Sequence, residues 1–196
     1  NIGSSNTISK LLNILEKKKL IKDKKFNINI EKQIPNMAGL GGGSMNAASI
    51  LRFFVKKKII KATQKELKII SSSIGSDVIL GLNPVNSILT KKNEIKHFKK
   101  CKKLHILVVK PNFGCSSKVI YSKVRKFDKP QISYFKKNIF KLVNLRKLSN
   151  SLEIIVLKKY PRLKEIKLYL ENLSPVFVRL TGSGSALVAY FQSKER

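Results

Sequence analysis

The sequence predicts an α+β fold, in which short strands and paired helices pack around apolar cores. The strand-like runs are short, and 26–30 alternates strictly between apolar and polar residues, as a half-buried strand does. The helical runs have their own start signals and do not alternate regularly with strands, as a doubly wound α/β sheet would require. The chain is also long enough to bury a core without disulfides or a metal.

Elements of the first half follow from periodicity and capping. Asn6, or Ser5 before it, can cap the first helix, and Thr63 with Glu66 forms a capping box for a later one. Gly75–Asp77 is predicted to be a turn before a short apolar run. The predicted elements are a helix over 6–19, a strand over 26–30, helices over 44–54 and 64–71, and a strand over 86–90.

The basic stretch 91–103 is predicted to be a surface loop and a domain boundary, which divides the chain into domains 1–100 and 101–196. A buried strand is expected over 104–109, followed by a turn and a helix that Ser116 or Ser117 caps. Asn150 and Glu153 indicate a second capping box, and Pro161 suits the first position of a further helix. Two strands over 176–180 and 186–191 should flank a tight turn.

The net charge of +30 raises the question of nucleic-acid binding. Only 6 of the 41 basic residues are Arg, and Ile and Asn are abundant, a pattern typical of AT-rich coding sequence. Sites that read bases favour Arg, and single-strand binders interleave aromatic residues. Compositional drift therefore explains the charge better, although the charge can still attract an anionic substrate.

Cysteines and apolar runs limit the function classes further. Cys101 and Cys115 have no metal or redox spacing, so two reduced thiols of a cytoplasmic protein are expected, with no protein metal site. No run approaches 18 apolar residues, so no transmembrane helix is predicted.

A glycine-rich segment from Pro35 to Asn46, reading P-N-M-A-G-L-G-G-G-S-M-N, indicates an anion site. Glycines let backbone amides approach a ligand closely, and the following helix directs its free N–H groups and its positive dipole end at the loop. The Walker A pattern fails because no Lys follows the glycines, and the dinucleotide pattern fails at Ser44. A polyphosphate fits the length of the loop.

Two other features are ambiguous when taken alone. Gly182–Ser185 lies between two apolar strands, and a hairpin turn explains it. Asp77 follows Gly-Ser, where an Asp is usually a cap or a turn residue.

Together these motifs resemble those of the GHMP kinase superfamily, and most closely its 4-diphosphocytidyl-2-C-methyl-D-erythritol kinase family. That family reads P-x-x-x-G-L-G-G-G-S-S-N-A-A, where this chain reads P-N-M-A-G-L-G-G-G-S-M-N-A-A. Its G-A-D-V-P resembles Gly75–Ile79, its N-D-L-E resembles Asn150–Glu153, and its T/S-G-S-G-A resembles Thr181–Ser185. The resemblance implies the two-domain fold of these kinases, with a ribosomal S5 domain 2-like first part and a ferredoxin-like second part.

The resemblance also implies a reaction, in which ATP with Mg²⁺ phosphorylates the 2-hydroxyl of a cytidine diphosphate-linked methylerythritol for isoprenoid biosynthesis. Asp77 matches the catalytic base of the family. The implied partners are small molecules, with no specific nucleic acid and no membrane, for a cytoplasmic monomer or weak homodimer. The residues that match the ATP loop are Pro35, Asn36, Met37, Ala38, Gly39, Leu40, Gly41, Gly42, Gly43, Ser44 and Met45. The residues that match substrate contacts are Tyr121, Ser117, Gly182, Ser183 and Gly184.

Departures from the family pattern are also informative. Met45 stands where a Ser is usual, which removes one hydroxyl near the phosphates, and Ile79 replaces a Pro. No residue matches the family's catalytic Lys on an early strand, so we expect a fragment without the N-terminal strands and the C-terminal end, inactive by itself. Two alternatives stay open, namely another GHMP kinase, such as one for homoserine, and a basic nucleic-acid-binding domain.

Overall fold

A computed structural model describes residues 6–22, 24–90, 94–126, 128–132 and 135–194. The chain forms two compact units, one of Asn1–Ile34 with Gly41–Val85 and the other of Pro35–Leu40 with Asn86–Arg196. The first unit contains helices and the second combines helices with two antiparallel sheets, so the predicted α+β class is confirmed. These units part after Val85, whereas the domain boundary at residue 100 stays a prediction.

The first unit is helical. Its helices are α1 (Thr7–Lys17), α2 (Gly42–Lys56), α3 (Gln64–Ile74) and the short α4 (Val78–Gly81). The helices bury one continuous apolar core, whose fully buried members include Leu11, Leu15, Leu51, Ile70 and Val78. Ala47 and Ala48 of α2 are fully buried as well.

Capping signals placed α1 and α3 correctly. The side chain of Asn6 accepts hydrogen bonds from the N–H groups of Ile8 and Ser9. Thr63 and Glu66 form the reciprocal capping box that the sequence predicts, because each side chain accepts a bond from the other residue's backbone N–H. The helix α3 runs to Ile74, slightly beyond the predicted end.

The predicted strand over 26–30 belongs to no sheet among the described residues. Its side chains still alternate between half-buried and exposed, and Phe26 packs its ring 4.6 Å from that of Phe54. The alternation therefore reports correctly which side chains face the core. A strand also needs a hydrogen-bonded neighbour, and periodicity contains no information about that neighbour.

The second unit begins with a hairpin of β1 (Asn86–Leu89) and β2 (Ile95–Phe98) in antiparallel pairing. The prediction of a loop throughout 91–103 is wrong, because β2 lies within it. Lysines around β2 obscured the apolar pair Ile95 and Phe98, of which Phe98 packs against the ring of Phe140 at 5.3 Å. The predicted strand at 86–90 is confirmed.

The second unit also contains a three-stranded antiparallel sheet, in the order β3 (His105–Val109), β5 (Leu187–Phe191), β4 (Phe177–Leu180). The prediction that the strand over 104–109 is buried is wrong, since β3 is an edge strand and Ile106 is 51% exposed. Its apolar run has no covering element among the described residues. The helices of this unit are α5 (Ser117–Tyr121), α6 (Leu142–Leu145), α7 (Glu153–Lys159) and α8 (Pro161–Glu171), with a 3₁₀ turn at Lys137–Phe140.

The second predicted capping box is also wrong, although α7 begins within the predicted motif, at Glu153. Asn150 accepts a bond from the N–H of Leu152, but Glu153 does not reach back to Asn150. Its carboxylate instead accepts a bond of 2.6 Å from the N–H of Leu180 in β4 and pairs with Lys167 of α8 at 2.6 Å. The Glu153 side chain thus bonds to residues distant in the chain, and it does not cap the start of α7 as the local motif predicted.

Candidate functional site

The start of α2 is an open helix end. Gly41, with φ of 70°, precedes the helix, and the N–H of Met45 makes the first intrahelical bond, 2.9 Å to the Gly41 carbonyl. The N–H groups of Gly42, Gly43 and Ser44 therefore have no acceptor within the helix. No described side chain caps this end and no acid lies in its first turn, whereas α1 and α3 are both capped by side chains.

The preceding segment, Pro35–Leu40, belongs to the second unit, where backbone hydrogen bonds fix it. The carbonyl of Met37 accepts from the N–H groups of Cys115 and Ser185, each at 3.1 Å. The carbonyl of Ala38 accepts from the N–H of Ala186 at 3.0 Å. Hydrogen bonds within the second unit thus hold Pro35–Leu40, and the chain continues from Gly41 as part of the first unit.

Gly39 lies against the second glycine cluster. Its φ is 73°, and a Cβ at this position would lie 2.1 Å from the Thr181 carbonyl oxygen. The Thr181 hydroxyl donates a 3.0 Å bond to the Gly39 carbonyl, and a Cβ at Gly182 would lie 2.9 Å from the same carbonyl oxygen. The turn between β4 and β5 therefore supports the glycine-rich segment.

Other positions of the glycine-rich segment have different neighbours. A Cβ at Gly41 would meet nothing within 4 Å, whereas one at Gly42 would approach the Ile34 side chain at 3.2 Å. The position at which a side chain would project into open space is therefore Gly41. The Met45 thioether lies beside α4, since a Cβ at Gly81 would come within 3.0 Å of its Sδ.

Asp77 lies in the same unit as α2, immediately before α4. Its side chain is exposed, and the Ser76 hydroxyl donates a 3.2 Å hydrogen bond to its Oδ1. The helix α4 packs closely against α2, because a Cβ at Gly81 would lie only 2.6 Å from the Cβ of Ala48. This contact joins the element that follows Asp77 to the helix that starts at the glycines.

Tyr121 is one of the exposed predicted substrate residues, with 57% of its surface accessible. It lines two cavities of the second unit, of about 490 and 510 Å³, which also share Ser149, Ser151 and Leu152. Gly182 lines the second of these cavities. A ring at the edge of two cavities offers a flat apolar face to a planar ligand.

The remaining predicted substrate residues lie elsewhere in this unit. The hydroxyls of Ser117 and Ser183 are 2.6 Å apart and bond to each other. Gly184 is buried, and a Cβ there would lie 3.1 Å from a methyl group of Leu180. None of the three lines either cavity. Their contact with a substrate stays a prediction.

Two residues of the site region were not found from the sequence. The Asn150 amide donates 2.8 Å bonds to the carbonyls of Leu180 and Gly182, which fixes the start of the β4–β5 turn. In the first unit, the Thr7 hydroxyl donates a 2.8 Å bond to the carbonyl of Gly43. The Asn150 motif was visible in the sequence, but its amide partners are about thirty residues distant along the chain.

Burial also affects the pKa of the Cys115 thiol, which lies close to Gly184. Cys115 is almost completely buried beneath Gly184, and this burial raises the pKa of its thiol. The protonated form is therefore favoured, and the thiol is a poor nucleophile and metal ligand.

Among the described residues, no group of three or more His, Cys, Asp or Glu side chains could hold a metal ion. No described helix has the length and apolarity to cross a bilayer.

Comparison with known proteins agrees with the resemblance seen in the motifs. Residues 6–85 match the model of the GHMP kinases N terminal domain. The whole chain is 56% identical to a 4-diphosphocytidyl-2-C-methyl-D-erythritol kinase of Pelagibacter ubique (strain HTCC1062) and spans 70% of its length. A kinase of the same name from Clostridium botulinum (strain Hall) is 36% identical over 184 residues, which are 86% of this chain and 63% of that protein.

The fold agrees as well. A crystal structure of 4-(cytidine 5'-diphospho)-2C-methyl-D-erythritol kinase superposes with a TM-score of 0.74 and 25% identity, over 98% of this chain and 71% of the other. The predicted GHMP kinase fold is confirmed. By sequence and by fold, the chain belongs to the 4-diphosphocytidyl-2-C-methyl-D-erythritol kinase family of the GHMP kinases.

Proposed function

We propose that the protein transfers the terminal phosphoryl group of ATP to the 2-hydroxyl of 4-diphosphocytidyl-2-C-methyl-D-erythritol, a step of isoprenoid biosynthesis. The open end of α2 is the main support. Phosphoryl transfer depends mostly on positioning and on stabilising charge on the phosphates, and an uncapped helix end supplies N–H donors and a positive dipole for both. In this proposal Pro35–Met45 bind ATP, and the amides of Gly42–Ser44 contact its phosphates.

Asp77 is the proposed general base. Its exposed carboxylate can accept the proton of the substrate hydroxyl as the oxygen attacks the terminal phosphorus, and ADP leaves with the electrons of the broken bond. The Ser76 hydroxyl would hold Oδ1 and leave Oδ2 available for the proton. Packing of α4 on α2 supports this assignment, because it holds the segment after Asp77 against the helix whose start is the proposed phosphate site.

Tyr121 and the cavities beside it are the proposed site for the cytidine end of the substrate. Stacking on an exposed aromatic ring suits a base, since it is tolerant of ring substituents and contributes about 1–3 kcal/mol per base. Gly182 and its neighbours would line the adjacent space. Contacts of Ser117, Ser183 and Gly184 with the substrate are part of the same proposal.

Mg²⁺ is proposed to enter as the Mg–ATP complex. This ion usually retains several waters and is held by substrate phosphates with one or two carboxylates, so a dedicated protein cage is not required. The domain assignment is also a proposal, with ATP bound mainly by residues 1–100 and the substrate base by residues 101–196. We further propose a cytoplasmic enzyme that acts as a monomer or weak homodimer.

The base assignment is tested with Asp77→Asn in the full-length protein. We expect turnover to fall about 10²–10⁴-fold, the usual contribution of a general base, while ATP affinity stays within about twofold. Rates are measured by ADP release, and ATP affinity by calorimetric titration. Glu165→Gln, which removes an exposed carboxylate of α8, is the matched control and should retain full activity. Unchanged turnover in Asp77→Asn would exclude Asp77 as the base.

Acceptor specificity separates this proposal from another GHMP kinase activity. The cytidine-linked compound should be the best acceptor, and free methylerythritol or homoserine should react about 5- to 150-fold more slowly, because they lack the base that stacks on Tyr121. A faster reaction with homoserine would favour the alternative kinase.

A further inference from the structure

The Thr7 hydroxyl contacts the glycine-rich helix end from a separate helix of the same unit. Its Oγ1 donates a 2.8 Å hydrogen bond to the carbonyl of Gly43, and the two residues are 36 positions apart in the chain. The contact is close, because a Cβ at Gly43 would lie 3.5 Å from Thr7 Oγ1 and 3.7 Å from its methyl carbon. The first turns of α1 and α2 therefore lie side by side.

The bond has a directional consequence for the amides of α2. The carbonyl of Gly43 and the N–H of Ser44 belong to the same planar trans peptide and point in opposite directions. A donor that holds the Gly43 carbonyl therefore adds to the helix geometry in fixing the direction of the Ser44 N–H. That N–H precedes the first intrahelical bond and has no acceptor within α2.

The hydrogen bond from the Thr7 hydroxyl is not part of the cap of α1. Asn6 already accepts from the N–H groups of Ile8 and Ser9, so the Thr7 hydroxyl is not needed to begin α1. Thr7 donates outward to another helix. That helix, α2, begins with two glycines.

We propose that Thr7 is a positioning residue for nucleotide phosphate, which orients the free amide of Ser44 through the Gly43 carbonyl. This inference rests on the proposed function, because it requires that the open end of α2 binds the phosphates of ATP. Thr7 does not touch the phosphates itself.

The test compares Thr7→Val with Thr7→Ser in the full-length protein. Val retains the shape of Thr without the donor, so ATP should bind roughly 3- to 10-fold more weakly, the usual effect of one lost hydrogen bond. Ser restores the donor and should restore affinity. Adenosine has no phosphate, so its affinity should stay within about twofold of wild type in both variants. All affinities are measured by calorimetric titration.

Thr63→Val is the matched control, since Thr63 is also a threonine hydroxyl of this unit but it caps α3. It should lower the thermal midpoint without changing ATP affinity. Unchanged ATP affinity in Thr7→Val, or an equal loss for ATP and adenosine, would overturn the positioning role. A wild-type protein that binds no ATP would overturn the proposed function and this role with it, whereas normal binding and turnover in wild type and Thr7→Val would overturn only the role of Thr7.

Discussion

At the scale of single residues, Gly39 and Gly41 have similar backbone angles and very different surroundings. Both have positive φ, near 70°, so an alanine at either position costs about 1–2 kcal/mol in backbone strain. A methyl group at Gly39 would also overlap the Thr181 carbonyl, whereas one at Gly41 would enter open space. The two glycines are therefore required for different reasons.

We expect Gly39→Ala to lower the free energy of unfolding by clearly more than Gly41→Ala does. Gly41→Ala should instead weaken ATP binding, because its methyl group would enter the space in which the phosphates are proposed to lie. Urea denaturation measures the stability and calorimetric titration the affinity. Equal ATP affinities for Gly41→Ala and wild type would place the phosphates away from Gly41.

Local chemistry predicts the glycine-rich segment from the sequence, because conformational freedom and a helix start are both properties of neighbouring residues. The partners of Thr7 and Asn150 could not be predicted in this way. Their acceptors are carbonyls at 36, 30 and 32 positions along the chain, and any carbonyl could serve. Met45 is similar, since its identity alone suggests a lost hydroxyl, while its packing against Gly81 appears only in the fold.

At the scale of helices and strands, Glu153 connects three elements of the second unit. Glu153 is the first residue of α7, and its side chain is 16% exposed. Its carboxylate accepts a hydrogen bond from the N–H of Leu180 in β4 and pairs with Lys167 of α8. Hydrogen bonds to a charged group each contribute about 1.5–3 kcal/mol, and removal of the carboxylate would leave the Leu180 N–H without this acceptor.

Glu153→Ala should therefore lower the free energy of unfolding by about 2–4 kcal/mol. Glu165→Ala, an exposed acid on α8, is the control and should change it by less than about 0.5 kcal/mol. Chemical denaturation of both variants gives the comparison. A similar small effect for both would show that the Glu153 contacts contribute little to stability.

Helices were easier to predict than strands in this chain. The caps at Asn6 and Thr63 lie within three residues of the groups that they bond, so sequence contains the whole interaction. A strand depends on a partner elsewhere, which is why 26–30 alternates correctly without belonging to a sheet here. The burial of β3 was overestimated for the same reason, because an apolar run does not reveal what covers it.

At the scale of the whole molecule, the net charge of +30 should produce binding to polyanions that is weak, independent of sequence and sensitive to salt. We expect affinity for a single-stranded oligonucleotide to fall by at least about tenfold between 50 and 200 mM salt, with no preference among base sequences. Fluorescence anisotropy with mixed and homopolymeric oligonucleotides gives the measurement. Tight binding that selects one sequence would instead support the nucleic-acid-binding alternative.

The bond between Thr181 and Gly39 also has a consequence for the order in which the protein is made. These residues are 142 positions apart in the chain, and a ribosome adds about 5–20 residues per second. Gly39 is therefore synthesised several seconds or more before Thr181. During that interval the glycine-rich segment lacks its hydrogen-bond partner Thr181, while the residues that cap α1 and α3 have already been synthesised. The nascent chain should therefore form its first helices early and acquire nucleotide affinity only after β4 and β5 have been synthesised.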